Sequence, residues 1–370
     1  EAESIIAESE SIKAYPTTEY YLGWFADGRG DRDAAARWFA KAAALPTDYV
    51  YPFRLETVPV LEKALEYMPE SSVTWYYLGN LWYQKRPELA KDAWEHAVKA
   101  EPRFAMALRN LGWYYRFRNE GKSWKEYSDY AEAVSYYLKA IDADPSSAIF
   151  LTECDEIMEY MNAPLADRFA IFDGKKSVYE NRYDSEARAL KQIFLHGDYD
   201  SVLESLTTRF YSRREHIDDL HDMYADVCML AGLRAWEQKD DEAALKYMLM
   251  SAEYPKNQCY AHLEYSARDA QVYYFIGLAY EKLGNREEAL QWYEKAALVE
   301  VKDKQNDVKY LYEKGLALEK LGKKAEAKSL YRHMTEFGKG LYTEYVNNFF
   351  ESFDRGPFEQ DINSIAYLTQ

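Results

Sequence analysis

Residues 273–300, YYFIGLAYEKLGNREEALQWYEKAALVE, decide the fold of this chain. Apolar residues recur with a helical period on both sides of Gly284, which predicts two helices joined by a short turn. Small residues where the helices cross let them approach closely, and large aromatic residues fill the space between this pair and the next. The small residues are Gly277, Ala289 and Ala296, and the large ones are Tyr280 and Tyr293.

The same spacing recurs along most of the chain. The second copy reads Trp75-x-x-Leu78-Gly79-x-x-Trp82, and Pro102 at its end stops the second helix because proline offers no N–H. Chance does not keep so many spacings in phase, so the helix pair is the repeating unit of the fold. The predicted copies lie near residues 17–46, 72–102, 105–145, 218–255, 270–301 and 308–336.

The array is predicted to span residues 1–339, with three departures from the pattern. The repeat pattern is nearly absent from residues 148–211, and this stretch is predicted to form divergent helical hairpins. The proline-rich stretch 47–59 predicts a structured connector, and the polar stretch 120–130 predicts a protruding insertion. Residues 340–370 carry aromatic residues at near-helical spacing, which predicts a capping helix that covers the apolar end of the array.

These spacings resemble the tetratricopeptide repeat (TPR) family over most of the chain. The resemblance implies an all-α fold, a right-handed superhelical solenoid of antiparallel helix pairs whose first helices line a concave face. It also implies a scaffold that binds proteins or peptides on that face. The family's groove positions fall here on Tyr20, Trp24, Tyr76, Asn80, Tyr83, Arg109, Trp113, Arg116 and Tyr274.

Aromatic and Arg side chains in a groove suit peptide binding. Rings supply contact area at small entropic cost, and a guanidinium pairs with carboxylates or stacks on rings. We therefore expect Tyr76, Arg109 and Trp113 to contact a peptide, the alternative being that they pack between repeats. One TPR subclass grips a C-terminal carboxylate through Lys and Asn. Asn80 and Asn110 match its Asn positions, but Tyr76 replaces its first Lys, so that clamp is incomplete.

A narrower resemblance rests on residues 45–49, LPTDY, with 52–56, PFRLE, and 77–81, YLGNL. They look like the C-terminal repeat region of large bacterial proteins in which the array follows a β-rich domain similar to sugar mutarotases. This resemblance implies a fragment whose partner includes its own missing N-terminal domain. It also gives an alternative function, a non-catalytic accessory region of a larger bacterial carbohydrate-processing protein. Homo-oligomerisation through the ends or the 120–130 insertion is a further alternative.

Charge and composition limit the classes of partner that the chain is expected to bind. The chain has 46 Lys and Arg against 63 Asp and Glu, a net charge of −17, which repels nucleic acid and anionic membranes. No apolar run approaches the roughly 20 residues that span a bilayer. The residues Cys154, Cys228 and Cys259 lie far apart without Cys-x-x-Cys spacing, which argues against a disulfide framework or structural zinc and favours the cytoplasm.

The sequence predicts no enzyme, no cofactor and no metal site. It contains no phosphate-binding loop, nucleophile elbow or paired-carboxylate motif. The densest His and carboxylate cluster, residues 216–222, has its two His five positions apart, so they do not share one helical face. The Arg29-Gly30-Asp31 triplet is explained by an inter-helix turn at Gly30.

Overall fold

The fold is seen in a computed structural model that describes residues 4–8, 14–117, 128–211, 220–261 and 265–351. All regular secondary structure in these ranges is helical, as the sequence predicts. They form two compact units, unit 1 up to residue 163 and unit 2 from residue 164. Residues 120–127 of the predicted insertion and residues 352–370 of the predicted tail lie outside the described residues.

Unit 1 is built mainly from helix pairs. In chain order its main helices are α1 (Pro16–Gly28), α2 (Arg32–Ala44), α3 (Val58–Tyr67), α4 (Ser72–Trp82), α5 (Pro87–Ala100), α6 (Ala105–Phe117), α7 (Ser128–Ala143) and α8 (Ala148–Tyr160). The pairs α1–α2, α4–α5 and α6–α7 make the most extensive contacts of this unit. These pairs are the antiparallel hairpins that the spacing predicts.

The crossing glycines of unit 1 lie against large rings of the partner helix in the same pair. A Cβ at Gly79 would lie 2.5 Å from Cδ1 of Trp94, and one at Gly112 would lie 2.7 Å from the ring of Tyr137. Real Cβ atoms do not approach other heavy atoms so closely. Each glycine therefore admits the aromatic residue of its partner helix into the space that a side chain would take.

Helix α3 was not predicted, because it is a single helix without a partner in the pattern. The connector predicted over 47–59 ends earlier, in a 3₁₀ turn at Leu55–Thr57. Pro59 lies in the first turn of α3, where a missing N–H costs nothing. The helix buries one apolar stripe, made of Val58, Val60, Leu61, Ala64 and Leu65.

Unit 2 continues with helix pairs after a less regular start. Its helices are α9 (Leu165–Phe172), α10 (Lys176–Tyr179), α11 (Tyr183–His196), α12 (Tyr199–Thr208), α13 (Leu220–Glu237), α14 (Asp241–Met250), α15 (Asp269–Lys282), α16 (Arg286–Leu298), α17 (Leu311–Lys320) and α18 (Lys324–Glu351). The pairs α13–α14, α15–α16 and α17–α18 follow the repeat pattern. Between α11 and α12, Gly197 turns the chain at φ +94° and Asp198 caps the next helix.

The predicted capping helix does not start at residue 340. Instead α18 runs without a break from Lys324 to Glu351, so the aromatic stretch continues the second helix of the last pair. The physical reason is the absence of a stop signal, since no proline lies in this range and a glycine alone does not end a helix. None of the helices in the described ranges meets the length and hydropathy that a membrane span requires.

Candidate functional site

Helix α6 presents three of the predicted binding residues on one face. Arg109, Trp113 and Arg116, called the α6 cluster below, lie at i, i+4 and i+7, which places them in one row along the helix. The Arg109 guanidinium carbon lies 4.6 Å from the centroid of the Trp113 ring, and that of Arg116 lies 5.6 Å from it. One half-buried indole therefore contacts two cations, an arrangement favoured by the ring quadrupole.

Both arginines of the α6 cluster are paired with carboxylates of α8. Arg109 Nε donates to Glu153 Oε2 at 2.7 Å, and Arg109 Nη2 donates to the other oxygen of the same carboxylate. Arg116 Nη1 lies 2.7 Å from Glu156 Oε2. Burial alone would lower the pKa of Arg109, but the hydrogen bond and charge of Glu153 outweigh it and raise that pKa. The expected partner for these guanidinium groups, a ligand carboxylate, is thus already supplied by the chain itself.

The amide side chains expected for a carboxylate clamp bond to one another. Asn80 Oδ1 accepts from Trp94 Nε1 at 3.1 Å and from Asn110 Nδ2 at 2.9 Å. Asn110 Oδ1 accepts in turn from Arg109 Nη1 at 3.3 Å. These bonds join α4, α5 and α6, so both amides contribute to packing between consecutive repeats. Because both amide side chains are hydrogen-bonded within the chain, they do not support a clamp for a C-terminal carboxylate.

Three predicted binding residues are buried. The exposed fraction is 1% for Tyr20, 5% for Tyr76 and 8% for Tyr274. The Tyr20 hydroxyl shares a 2.7 Å hydrogen bond with Thr74, and the Tyr76 ring centroid lies 5.1 Å from that of Phe104. Their rings fill space between helices and do not form a ligand surface. The prediction that these three residues contact a ligand is therefore wrong. A residue at a groove position of the repeat packs between helices where a neighbouring helix covers it.

Trp24 and Tyr83 complete the predicted set. Trp24 is exposed and, with Phe25, lines a shallow open depression at the end of α1. Tyr83 is half-buried and its ring centroid lies 5.5 Å from that of Trp94, which also bonds to Asn80. Within unit 1 the described contacts therefore connect Asn80 and Tyr83 with the α6 cluster.

Sequence reasoning missed two features of unit 1. Glu153 and Glu156 belong to α8, which starts the stretch where the repeat pattern is lost, so no motif marked them. The second feature is an exposed apolar segment in the connector before α3, where the chain shows no repeat signature. Its residues are Tyr49, Tyr51, Phe53 and Leu55. The signal that could have found it is the alternation of large apolar residues over 49–55.

Several side chains with the chemistry for catalysis or metal binding are buried in the described part of the chain. Burial raises the pKa of Cys154 and of Cys228 to about 12, so both stay as thiols at neutral pH. No group of three His, Cys, Asp or Glu residues in the described part is placed to hold a metal ion. His221 is buried and stacks on Tyr254 with ring centroids 3.9 Å apart, whereas His216 lies outside the described residues.

Sequence comparison identifies the repeats. Two tetratricopeptide-repeat family models match the chain, one over residues 79–148 in unit 1 and the other over residues 270–300 and 308–336 in unit 2. No curated protein matches the chain.

Solved structures of repeat proteins are similar to this chain at low identity. YrrB, described as a TPR protein with an unusual peptide-binding site, matches with a TM-score of 0.32 and 16% identity, over 64% of this chain and 90% of YrrB. The pilF protein of Pseudomonas aeruginosa matches with a TM-score of 0.33 and 16% identity, over 67% and 91%. MamA matches with a TM-score of 0.23 and 16% identity, over 64% and 92%. Superpositions at these scores say nothing about ligands.

Proposed function

This chain belongs to the tetratricopeptide-repeat family, and on that premise we propose that unit 1 binds a peptide segment of a partner protein over the α6 cluster. Proteins of this family are in general non-catalytic interaction scaffolds. The observation that carries the proposal is the half-buried Trp113 ring with two carboxylate-paired guanidinium groups beside it. Tyr83, directly after α4, is connected to this cluster through Trp94 and Asn80.

The ion pairs make this surface rigid before a ligand arrives. The bonds from Arg109 to Glu153 and to Asn110 hold one long side chain in place, so binding does not have to order it again. A guanidinium carries five N–H donors. Three of the five N–H donors of Arg109 form hydrogen bonds with Glu153 and Asn110. Two N–H donors are left for a ligand.

The charges at the site determine which kind of hydrogen-bond acceptor on a ligand it favours. Because Glu153 and Glu156 already compensate the two guanidinium charges, a carboxylate ligand would have to compete with them. Backbone carbonyls of a peptide are neutral acceptors that can use the remaining donors without displacing either glutamate. We therefore expect recognition of the peptide backbone beside an apolar side chain that packs on Trp113.

A capture experiment tests this function. Immobilised wild-type chain is exposed to a lysate of the source cells beside Trp113→Ala and Trp292→Ala, and retained proteins are identified by mass spectrometry. Trp292 is a matched control, since it is also half-buried and has a cation, Lys295, 3.7 Å from its ring centroid, but lies on α16 of unit 2. We expect a protein that wild type and Trp292→Ala retain and that Trp113→Ala loses while keeping its helical circular dichroism.

An unfolded variant does not test binding, so the comparison holds only if the circular dichroism of Trp113→Ala matches that of wild type. One result would contradict the proposal. If the folded variant retains every protein that wild type retains, the α6 cluster does not contact the partner. Arg109→Lys refines the test, because it keeps the charge beside Glu153 but loses the fork of donors. Binding through backbone carbonyls should then weaken by about 1 kcal/mol.

A further inference from the structure

A continuous chain of hydrogen bonds runs beside the α6 cluster and joins four helices of unit 1. Trp94 Nε1 on α5 donates to Asn80 Oδ1 on α4 at 3.1 Å, and Asn110 Nδ2 on α6 donates to the same oxygen at 2.9 Å. Asn110 Oδ1 accepts from Arg109 Nη1 at 3.3 Å. Arg109 Nε donates in turn to Glu153 Oε2 on α8 at 2.7 Å. Asn110 therefore connects Asn80 of the preceding repeat with a guanidinium of the α6 cluster.

The two ends of this chain decide how both amides are turned. An indole Nε1 and a guanidinium are donors only, so each must meet an oxygen. Trp94 therefore requires Oδ1 of Asn80 on its side, and Arg109 requires Oδ1 of Asn110. With the amides turned this way, every contact joins a donor with an acceptor. A flip of either amide would place two donors or two acceptors face to face.

This arrangement directs the N–H groups of Asn80 away from Trp94 and Asn110. Burial raises the pKa of Tyr76 and a hydrogen bond with Asn80 opposes that rise, so one N–H of Asn80 Nδ2 serves the Tyr76 hydroxyl. The other N–H is left for a partner. Asn80 is half-buried, whereas Asn110 is only 8% exposed. A partner can therefore reach the amide of Asn80, and Asn110 lies behind it.

On the premise of the function proposed above, we propose that Asn110 is a positioning residue of the peptide surface. It does not contact the partner, but it holds the Asn80 amide and the Arg109 guanidinium so that both direct N–H groups toward the partner. An amide suits this position because it donates to Asn80 and accepts from Arg109 at the same time, which a carboxylate or an aliphatic side chain cannot do. The partner segment that fits is one whose backbone carbonyls meet donors from α4 and α6.

Two substitutions of Asn110 separate positioning from packing. Asn110→Asp keeps the shape of the side chain, but at neutral pH its carboxylate only accepts. The carboxylate repels Oδ1 of Asn80 and attracts Nδ2 of Asn80 more strongly than the neutral indole attracts Oδ1. We therefore expect the Asn80 amide to flip, which breaks its bond with Trp94 and turns an acceptor toward the partner. Asn110→Leu removes both hydrogen bonds without repelling that oxygen, so Trp94 alone keeps Asn80 in its wild-type orientation.

The indole N–H of Trp94 reports the orientation of Asn80 without any partner. The full chain labelled with ¹⁵N-tryptophan gives nine indole signals in an NMR spectrum, and the signal missing in Trp94→Phe is that of Trp94. We expect this signal to keep its position in Asn110→Leu. In Asn110→Asp it should move upfield and exchange faster with solvent. A packing role predicts the reverse order, because leucine places an apolar side chain between polar groups whereas aspartate is the closer match to asparagine.

Binding is then measured with the purified protein that wild type retains and Trp113→Ala loses. Asn110→Asp should bind it at least about tenfold more weakly than Asn110→Leu does, the effect of one hydrogen bond left unmade. Asn80→Asp is a second variant. It offers an acceptor to both Trp94 and Asn110, so it should fold and keep the Trp94 signal, but it presents no N–H to the partner and should also lose at least about tenfold.

Asn285→Asp is the control for the added charge. This residue caps α16 in unit 2 by accepting from the Glu288 N–H, and aspartate caps a helix as well as asparagine does. The control should therefore keep the Trp94 signal and bind the partner as wild type does. Loss of binding in the control would overturn the proposal, because added charge alone would then explain the effect of Asn110→Asp.

Three other results overturn the positioning role while the proposed function stands. They are an unmoved Trp94 signal in Asn110→Asp, equal binding by Asn110→Asp and Asn110→Leu, and wild-type binding by Asn80→Asp. The last of these decides the outcome if Asn110→Asp does not fold. If no Trp113-dependent protein is captured, the proposed function fails and the role of Asn110 in binding fails with it. The Trp94 signal still shows in that case whether Asn110 orients Asn80.

Discussion

Replacement of Gly79 by Ala tests the packing of one helix pair directly. The added Cβ would lie 2.5 Å from Cδ1 of Trp94 and 2.9 Å from its Cε2, so the ring must move. Trp94 is 2% exposed and its Nε1 donates to Asn80 Oδ1 at 3.1 Å, so movement disturbs both the core and this hydrogen bond. We expect Gly79→Ala to destabilise α4 and α5.

The magnitude follows from three contributions. Overpacking of a well-filled core costs about 1–3 kcal/mol. Weakening of the hydrogen bond from Trp94 adds up to about 1 kcal/mol. Alanine is favoured over glycine in a helix by about 1 kcal/mol, which acts in the opposite direction. These contributions sum to an expected loss of roughly 0–3 kcal/mol in the free energy of unfolding, and the upper part of the range applies if the hydrogen bond is also lost.

The assay should resolve the affected repeat. A repeat array unfolds by neighbouring units, so a single transition does not give one free energy. Hydrogen exchange at the amides of α4 and α5 measures their local opening, and circular dichroism in denaturant measures the whole chain. Gly28→Ala is the control. Nothing lies within 4 Å of a Cβ there, so this variant should be neutral or slightly stabilising.

The same substitution in a Trp94→Leu chain tests whether the contact with the Trp94 ring causes the loss of stability. In a Trp94→Leu chain the ring atoms that meet the Cβ are absent, so the further change Gly79→Ala should cost much less than in wild type. The two changes should thus show a coupling of about 1–3 kcal/mol. Faster exchange that is confined to helices other than α4 and α5, or exchange equal to that of wild type, would refute the packing argument. Equal cost in both backgrounds would show that the ring is not the cause.

Three further changes probe the turns, the caps and the charges of unit 2. Gly284→Ala should lower the melting temperature by the equivalent of about 1 kcal/mol, because this residue turns between α15 and α16 at φ +78° with open space around it. Asp240→Ala removes the acceptor of the Ala243 N–H at the start of α14 and should cost about 1 kcal/mol in denaturant unfolding, whereas Asp240→Asn should retain most of the stability. Glu281 accepts hydrogen bonds, of which the one from Lys320 has the largest effect, and these bonds lower the pKa of Glu281. The stabilising contribution of Glu281 is therefore fully present above about pH 4.3, the ordinary pKa of Glu. It is lost as the pH falls through the lower pKa of the folded state. Acid titration of stability at low salt should therefore be shallower for Glu281→Gln than for wild type, and identical curves would contradict this assignment.

The repeat itself could be predicted because its determinants are local. Gly277 and Tyr293 lie sixteen positions apart in one hairpin, and their contact depends only on two adjacent helices and a short turn. The same holds for Gly79 with Trp94. Every such pair carries its signature within about 34 residues, so the period in the sequence is enough to place it.

The binding surface could be predicted only in part. The spacing of Arg109, Trp113 and Arg116 places them on one face of a helix from sequence alone. Their partners Glu153 and Glu156 could not be found, because they belong to the stretch where the repeat pattern is lost. The guanidinium groups that were expected to pair with carboxylates or stack on rings of a ligand therefore pair with carboxylates of the chain itself.

The sequence by itself determined that the chain folds into paired helices of a repeating type. Only the tertiary structure decided which side chains remain accessible. Tyr20 and Tyr76 occupy groove positions of the repeat but are covered by neighbouring helices, whereas Tyr51 in the connector is exposed. The physical reason is that helix formation depends on residues within one or two turns, while burial depends on elements tens of residues away that pack against them.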